Sequence, residues 1–175
     1  MQGQWRQLLQ LALRDGAIVI GVLGLWRVLL QQAPGMEGPG LIALSAATAL
    51  LTTLLGYLAH EWGHLLGAMA ARAAFRLPAT PFESFFLFRF DRDRSSRAQF
   101  FAMALGGFAA SILSVLLFML LLPRGVLATY LTLGLVGLGV AATLIIEVPE
   151  FWRVWRGGPI PDGAAFVSTR RPDPS

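Results

Sequence analysis

The chain has 175 residues, of which 55 % are hydrophobic and only 14 % charged, with a mean hydropathy of +0.63. A soluble domain carries about 25 % charged residues, so the composition excludes an ordinary soluble globular domain and points to a lipid bilayer. Without cysteine there is neither a disulfide framework nor a thiolate metal site, and the net charge of +4 comes from arginine alone, with no lysine.

The first apolar block covers roughly residues 16–31. It carries Arg27 near its end and shows no small-residue cleavage site before Gln31, so it reads as a retained span. The second block, roughly 41–70, is apolar through Ala59 and continues as a helical pattern through Met69. A different stretch follows over 77–97, opened by Pro78 and Pro81. Within it, Phe86-Leu87-Phe88-Arg89-Phe90 sets phenylalanine at every second position, which suits a short strand with one apolar face. This hairpin-like segment is expected to lie on, or dip into, the bilayer interface. The third and fourth blocks cover roughly 99–122 and 126–148, separated by Pro123-Arg124-Gly125.

Blocks of about 20 apolar residues match the hydrocarbon thickness of a bilayer. At that length only helices are possible, because barrel strands are half as long and alternate in polarity. The expected fold is an all-α membrane protein of four transmembrane helices, with the short β segment between the second and third. Residues 1–163 form one membrane-embedded domain and 164–175 a polar tail. Gly106, Gly107, Gly134, Gly137 and Gly139 suit close packing between helices.

Arginine placement orients the chain. With the N-terminus in the cytoplasm, only Arg27 and Arg124 of the fourteen arginines fall outside, a strong positive-inside bias. Trp5, Trp152 and Trp155 then mark the inner interface and Trp26 the outer one. The same sorting explains the basicity without a nucleic-acid partner. The expected location is a bacterial inner (plasma) membrane, with both termini cytoplasmic.

The only histidines are His60 and His64, with Glu61 directly after the first. On a helix, residues four apart share a face, so both imidazoles can bind one metal ion. Glu61 stands about 100° round from His60, within reach of a water on that metal. Neutral imidazoles suit Zn2+, which lowers the pKa of its water, and a glutamate can take that proton as a general base. Ionisable groups at membrane depth are costly and mark function. His60 lies roughly 28 Å along a helix begun at Leu41, and Glu147 roughly 31 Å along one begun at Val126. That shared depth makes Glu147 the expected third ligand. Glu150, one turn later, and Asp162 in Pro161-Asp162-Gly163 remain the alternatives.

His60-Glu61-Trp62-Gly63-His64 on a transmembrane helix resembles the site-2 protease family of intramembrane zinc metalloproteases. Gly106-Gly107-Phe108-Ala109-Ala110-Ser111, following a β segment, is similar in order to that family's Gly-Pro-x-x-Asn element, with phenylalanine for proline and serine for asparagine. Ile160-Pro161-Asp162-Gly163 is similar to its Leu-Asp-Gly element but lacks the leucine. The resemblance implies hydrolysis of membrane-spanning protein substrates near the cytoplasmic face. A helical substrate must be unwound before cleavage, and Phe86, Phe88 and Phe90 are expected either to hold it by strand addition or to anchor the loop. The altered glycine element leaves a second reading open, a non-catalytic zinc-binding scaffold or assembly factor derived from such a protease.

Overall fold

The computed structural model describes residues 2–84 and 86–161. Asp162 and the tail 164–175 lie outside the described residues. Four helices, α1 (Gln2–Gln32), α2 (Pro39–Ala70), α3 (Arg97–Leu121) and α4 (Leu127–Trp155), are each long and apolar enough to cross a membrane. Between α2 and α3 lies a small antiparallel pair, β1 (Phe75–Arg76) and β2 (Arg89–Phe90), with Phe75 opposite Phe90. The fold is thus the expected all-α membrane protein with a short hairpin-like insertion.

Helix α2 is the hub on which α1, α3 and α4 all pack. It opens with Gly38 at φ 64° and Pro39 in the first turn, where a missing N–H costs nothing. It closes in a Schellman arrangement, with Ala73 N–H bonding Ala68 O at 2.9 Å and Arg72 N–H bonding Met69 O at 3.0 Å. Arg72 holds the left-handed position, φ 55°, that glycine usually takes there. Gln99 joins the two helix ends. Its Oε1 accepts from Ser96 N–H in a capping box, while Nε2 donates to the carbonyls of Ala71 and Arg72 at 3.1 and 3.0 Å. The start of α3 is thereby fixed against the end of α2.

From that anchor the two backbones run in contact. A Cβ at Gly63 would stand 2.5 Å from Gly106 O, and one at Gly67 would overlap Ala102 O. In hydrocarbon there is no hydrophobic drive between helices, so backbone contact through small residues supplies the packing. Gly106 and Gly107 behave as expected. Gly134, Gly137 and Gly139 do not, since a Cβ there would meet nothing within 4 Å.

Two helix ends depart from the expected spans. Helix α1 starts at Gln2, ahead of residue 16, because its polar first half still buries a stripe: Leu11 is 1 % exposed and packs with Leu65 and Leu87. Helix α4 continues past 148 to Trp155 with Pro149 inside it. An interior proline costs about 3 kcal/mol. Against it stand edge-to-face contacts of Phe151 with Phe101 and Phe108, and of Trp155 with Phe101, at centroid separations of 5.0, 5.9 and 5.5 Å. At about 0.5–1.5 kcal/mol each beyond burial, these contacts carry the helix on.

The glycine contact makes a differential prediction. Gly67→Val is expected to destabilise by more than the usual 1–3 kcal/mol or so of overpacking, because its neighbour is backbone and cannot move aside. Gly134→Ala is expected to leave stability unchanged or slightly raised. Thermal unfolding of the purified proteins in detergent checks both.

Candidate metal centre

Helix α2 sets His60 and His64 one turn apart on a single face, with their Nε2 atoms 3.0 Å from each other. Helix α4 brings Glu147 to the same depth. Its Oε1 lies 3.0 Å from His60 Nε2 and its Oε2 lies 3.4 Å from His64 Nε2. All three side chains are buried, and they form a group able to hold a metal ion.

The other nitrogen of each ring fixes the tautomer. His64 Nδ1 lies 3.0 Å from Met103 O, and His60 Nδ1 lies 3.2 Å from Gly107 O and 2.8 Å from Ser111 Oγ. A carbonyl oxygen can only accept, so both Nδ1 atoms carry hydrogen and donate. In the neutral rings, the Nε2 lone pairs then face one another and the Glu147 carboxylate. A shared proton between His60 and Glu147 would satisfy one of these three contacts, whereas a cation at the centre satisfies all of them. Among the described residues, the buried Glu147 Oε2 has no hydrogen-bond donor closer than its 3.4 Å contact with His64 Nε2, as a ligand oxygen would. Ligands about 2.0–2.1 Å from a tetrahedral ion stand roughly 3.3 Å apart, close to the 3.0, 3.0 and 3.4 Å seen here. The residues therefore fit a divalent metal.

Helix α3 does the orienting. A Cβ at Gly107 would overlap the His64 ring, so only glycine lets the imidazole lie against the α3 backbone and reach its carbonyls. Ser111, one turn on, accepts a hydrogen bond from His60 Nδ1–H on its hydroxyl oxygen. Such partners fix ring orientation and raise ligand basicity.

Glu61 is 3 % exposed and accepts a hydrogen bond from Leu87 N–H at 3.1 Å on Oε2. Its neighbour Trp62 donates from Nε1 to Asp15 Oδ2 at 2.8 Å, and Arg14 pairs with Asp15 Oδ1 at 2.7 Å. Arg14 Nη1 also donates to Pro81 O. Helix α1 thus links the motif helix to the loop that covers Glu61.

Of the expected ligands, Glu147 stands at the histidines. Glu150 instead accepts from Arg153 Nε at 3.0 Å, and Asp162 lies outside the described residues. Phe88 and Phe90 are buried in the core, edge-to-face with Phe75 and Phe100 at 5.9 and 6.2 Å, and Phe86 is half-buried. The segment meets the site through the Leu87 N–H. Strand pairing is confined to Arg89–Phe90, since Leu87 turns inward beside Phe88 and breaks the alternation. Asp15, beside Arg14 just ahead of the first apolar block, was not singled out in the sequence, where it reads as a flanking charged pair.

Comparison of the chain with known protein families, with curated proteins and with solved structures finds no match.

Elemental mass spectrometry of the detergent-purified protein is expected to find about one divalent metal per chain. The metal should be lost in Glu147→Ala and kept in Glu150→Ala. Ser111→Ala should retain the site but weaken affinity about 10- to 100-fold in chelator competition, the usual cost of losing such a partner.

Proposed function

We propose that the protein is an intramembrane zinc metalloprotease that hydrolyses peptide bonds of membrane-spanning protein substrates near the cytoplasmic face. The observation that carries this reading is the convergence of His60, His64 and Glu147 in one buried group, with Glu61 adjacent on the same helix. Two imidazoles and one carboxylate are a ligand set of catalytic rather than structural zinc, because three protein ligands leave one position for substrate or water. Zinc held by His60, His64 and Glu147 would supply a Lewis acid and would lower the pKa of a water toward neutrality.

The chain's own residues then have distinct tasks. Met103 O, Gly107 O and Ser111 Oγ hold the two imidazoles as neutral ligands presenting Nε2. Glu61 is the general base. Its carboxylate takes a proton from the attacking water and passes it to the leaving amine, and the Leu87 N–H on Oε2 aims it. Burial among α2, α3 and the loop excludes bulk water, which strengthens each of these interactions. Phe88 and Phe90 have their side chains packed in the core, so a part in holding substrate would fall to the backbone of that segment.

The arginine distribution supports cytoplasmic termini. The site then lies near the cytoplasmic edge of the hydrocarbon layer, where water and a hydrolysable bond can meet. One observation favours the scaffold alternative: Glu61 is only 3 % exposed, as it would be in a permanently closed site.

Glu61→Gln separates the two. In zinc-loaded protein reconstituted with a single-span peptide, the variant is expected to keep its zinc and lose about 10²- to 10⁴-fold in cleavage rate, the usual contribution of general acid–base catalysis. Undiminished cleavage would remove Glu61 from the mechanism. A zinc-loaded parent that cuts nothing would leave the scaffold standing.

A further inference from the structure

On the side of His60 away from the loop, a cavity of about 100 Å³ opens between α2, α3 and α4. His60 and its partner Ser111 form one wall, and Tyr57, Ser114, Gly139 and Val140 form others. Thr53 and Tyr57 precede His60 by two turns and one on α2, and Val140 and Thr143 precede Glu147 similarly on α4. At 1.5 Å per residue the cavity therefore extends up to about 10 Å from the metal group toward the bilayer centre. A spanning segment approaching the site from the membrane meets the cavity first.

Several lining residues carry hydroxyls, yet the lining is largely apolar. Thr53 Oγ1 donates to Ala49 O at 2.8 Å and Ser114 Oγ donates to Ala110 O at 2.8 Å, each folded back on its own helix. Ser111 Oγ is committed to His60. Val136, Val140 and the bare backbone of Gly139 supply apolar surface, and the rings of Tyr57 and His60 and the side chain of Thr143 complete the lining. Gly139 is exposed on the lipid side, and a Cβ there would meet nothing within 4 Å, so it forms the mouth. An apolar cavity of about 150 Å³ holds a benzene molecule. This one is smaller and suits an aliphatic side chain.

Resting on the protease reading, we infer that this cavity is a subsite that takes the aliphatic side chain of a substrate residue next to the cleaved bond. Gly139 and Val140 set its size limit. The sharing of a wall with His60 is what ties occupancy to the site, since His60 is the one member of the metal group that lines the cavity.

The test uses zinc-loaded protein in phospholipid vesicles with single-span leucine–alanine peptides whose central segment is enriched in Ala, Val, Leu or Phe. Product masses locate the cut. The parent should cut after or before Val and Leu about tenfold faster than Phe, the scale on which a hydrophobic pocket discriminates size. Gly139→Leu, whose Cβ would meet nothing within 4 Å, should narrow the mouth and lower the Leu-to-Ala rate ratio about tenfold. Val140→Ala should raise the Phe-to-Leu ratio, and decides the matter where Gly139→Leu loses its metal. Cleavage with the same side-chain profile in the parent and both variants, at equal zinc content, overturns the subsite and leaves the protease reading intact. A zinc-loaded parent that cuts no peptide overturns both.

Discussion

The contact between the backbones of α2 and α3 is the constraint on which everything else rests. Gly63 and Gly67 lie against Gly106 and Ala102 with no room for a Cβ between them. Only at that separation do the α3 carbonyls of Met103 and Gly107 come within hydrogen-bond range of the imidazoles. Those carbonyls also serve as acceptors within their own helix, and each uses a second lone pair for a histidine. A wider crossing would leave the Nδ1–H groups to find partners in hydrocarbon, where an unmet donor costs several kcal/mol. The glycines therefore specify the tautomers, and the tautomers specify where the two Nε2 lone pairs point.

What the sequence could show follows from how each part is held. His60, Glu61 and His64 sit on one helix, so spacing alone fixes their relation. Glu147 was reachable because α2 and α4 run in the same direction, which lets residue count from each helix start stand in for depth. The orienting groups on α3 were less legible. Two of them are backbone carbonyls with no side-chain signature, and the third, Ser111, stood out only by its place in the family-like glycine element, which gave it no partner. Asp15 needed the knowledge that Trp62, inside the histidine motif, faces α1.

The helix ends failed for a related reason. Hydropathy senses the hydrocarbon layer, and α1 and α4 both run beyond it. Leu11 and the Phe151–Trp155 turn stabilise those extensions by packing on α2, α3 and the hairpin, not by lipid burial. The alternation at Phe86–Phe90 misled in the opposite direction. It gave the right place for the hairpin, but with Leu87 and Phe88 both turned inward the segment is a lid with a packed underside. The loop's tie to the site is one backbone N–H, which no side-chain pattern announces.

The two sides of His60 differ in a way that bears on how a peptide could pass. On one side Glu61, Leu87 and the Asp15–Trp62 link form a polar, hydrogen-bonded cover joined to α1. On the other, the hydroxyls of Thr53 and Ser114 are turned away and a small apolar space faces the membrane interior. A hydrolytic site needs both characters at once. The proton-handling group has to be held dry and aimed, which calls for satisfied hydrogen bonds. The incoming chain has to leave lipid without gaining unmet polar contacts, which calls for an apolar reception. Under the proposed function, placing these demands on opposite sides of one imidazole lets a helix bundle this small meet both. It also confines the polar groups to the stretch of α2 where three other elements can satisfy them.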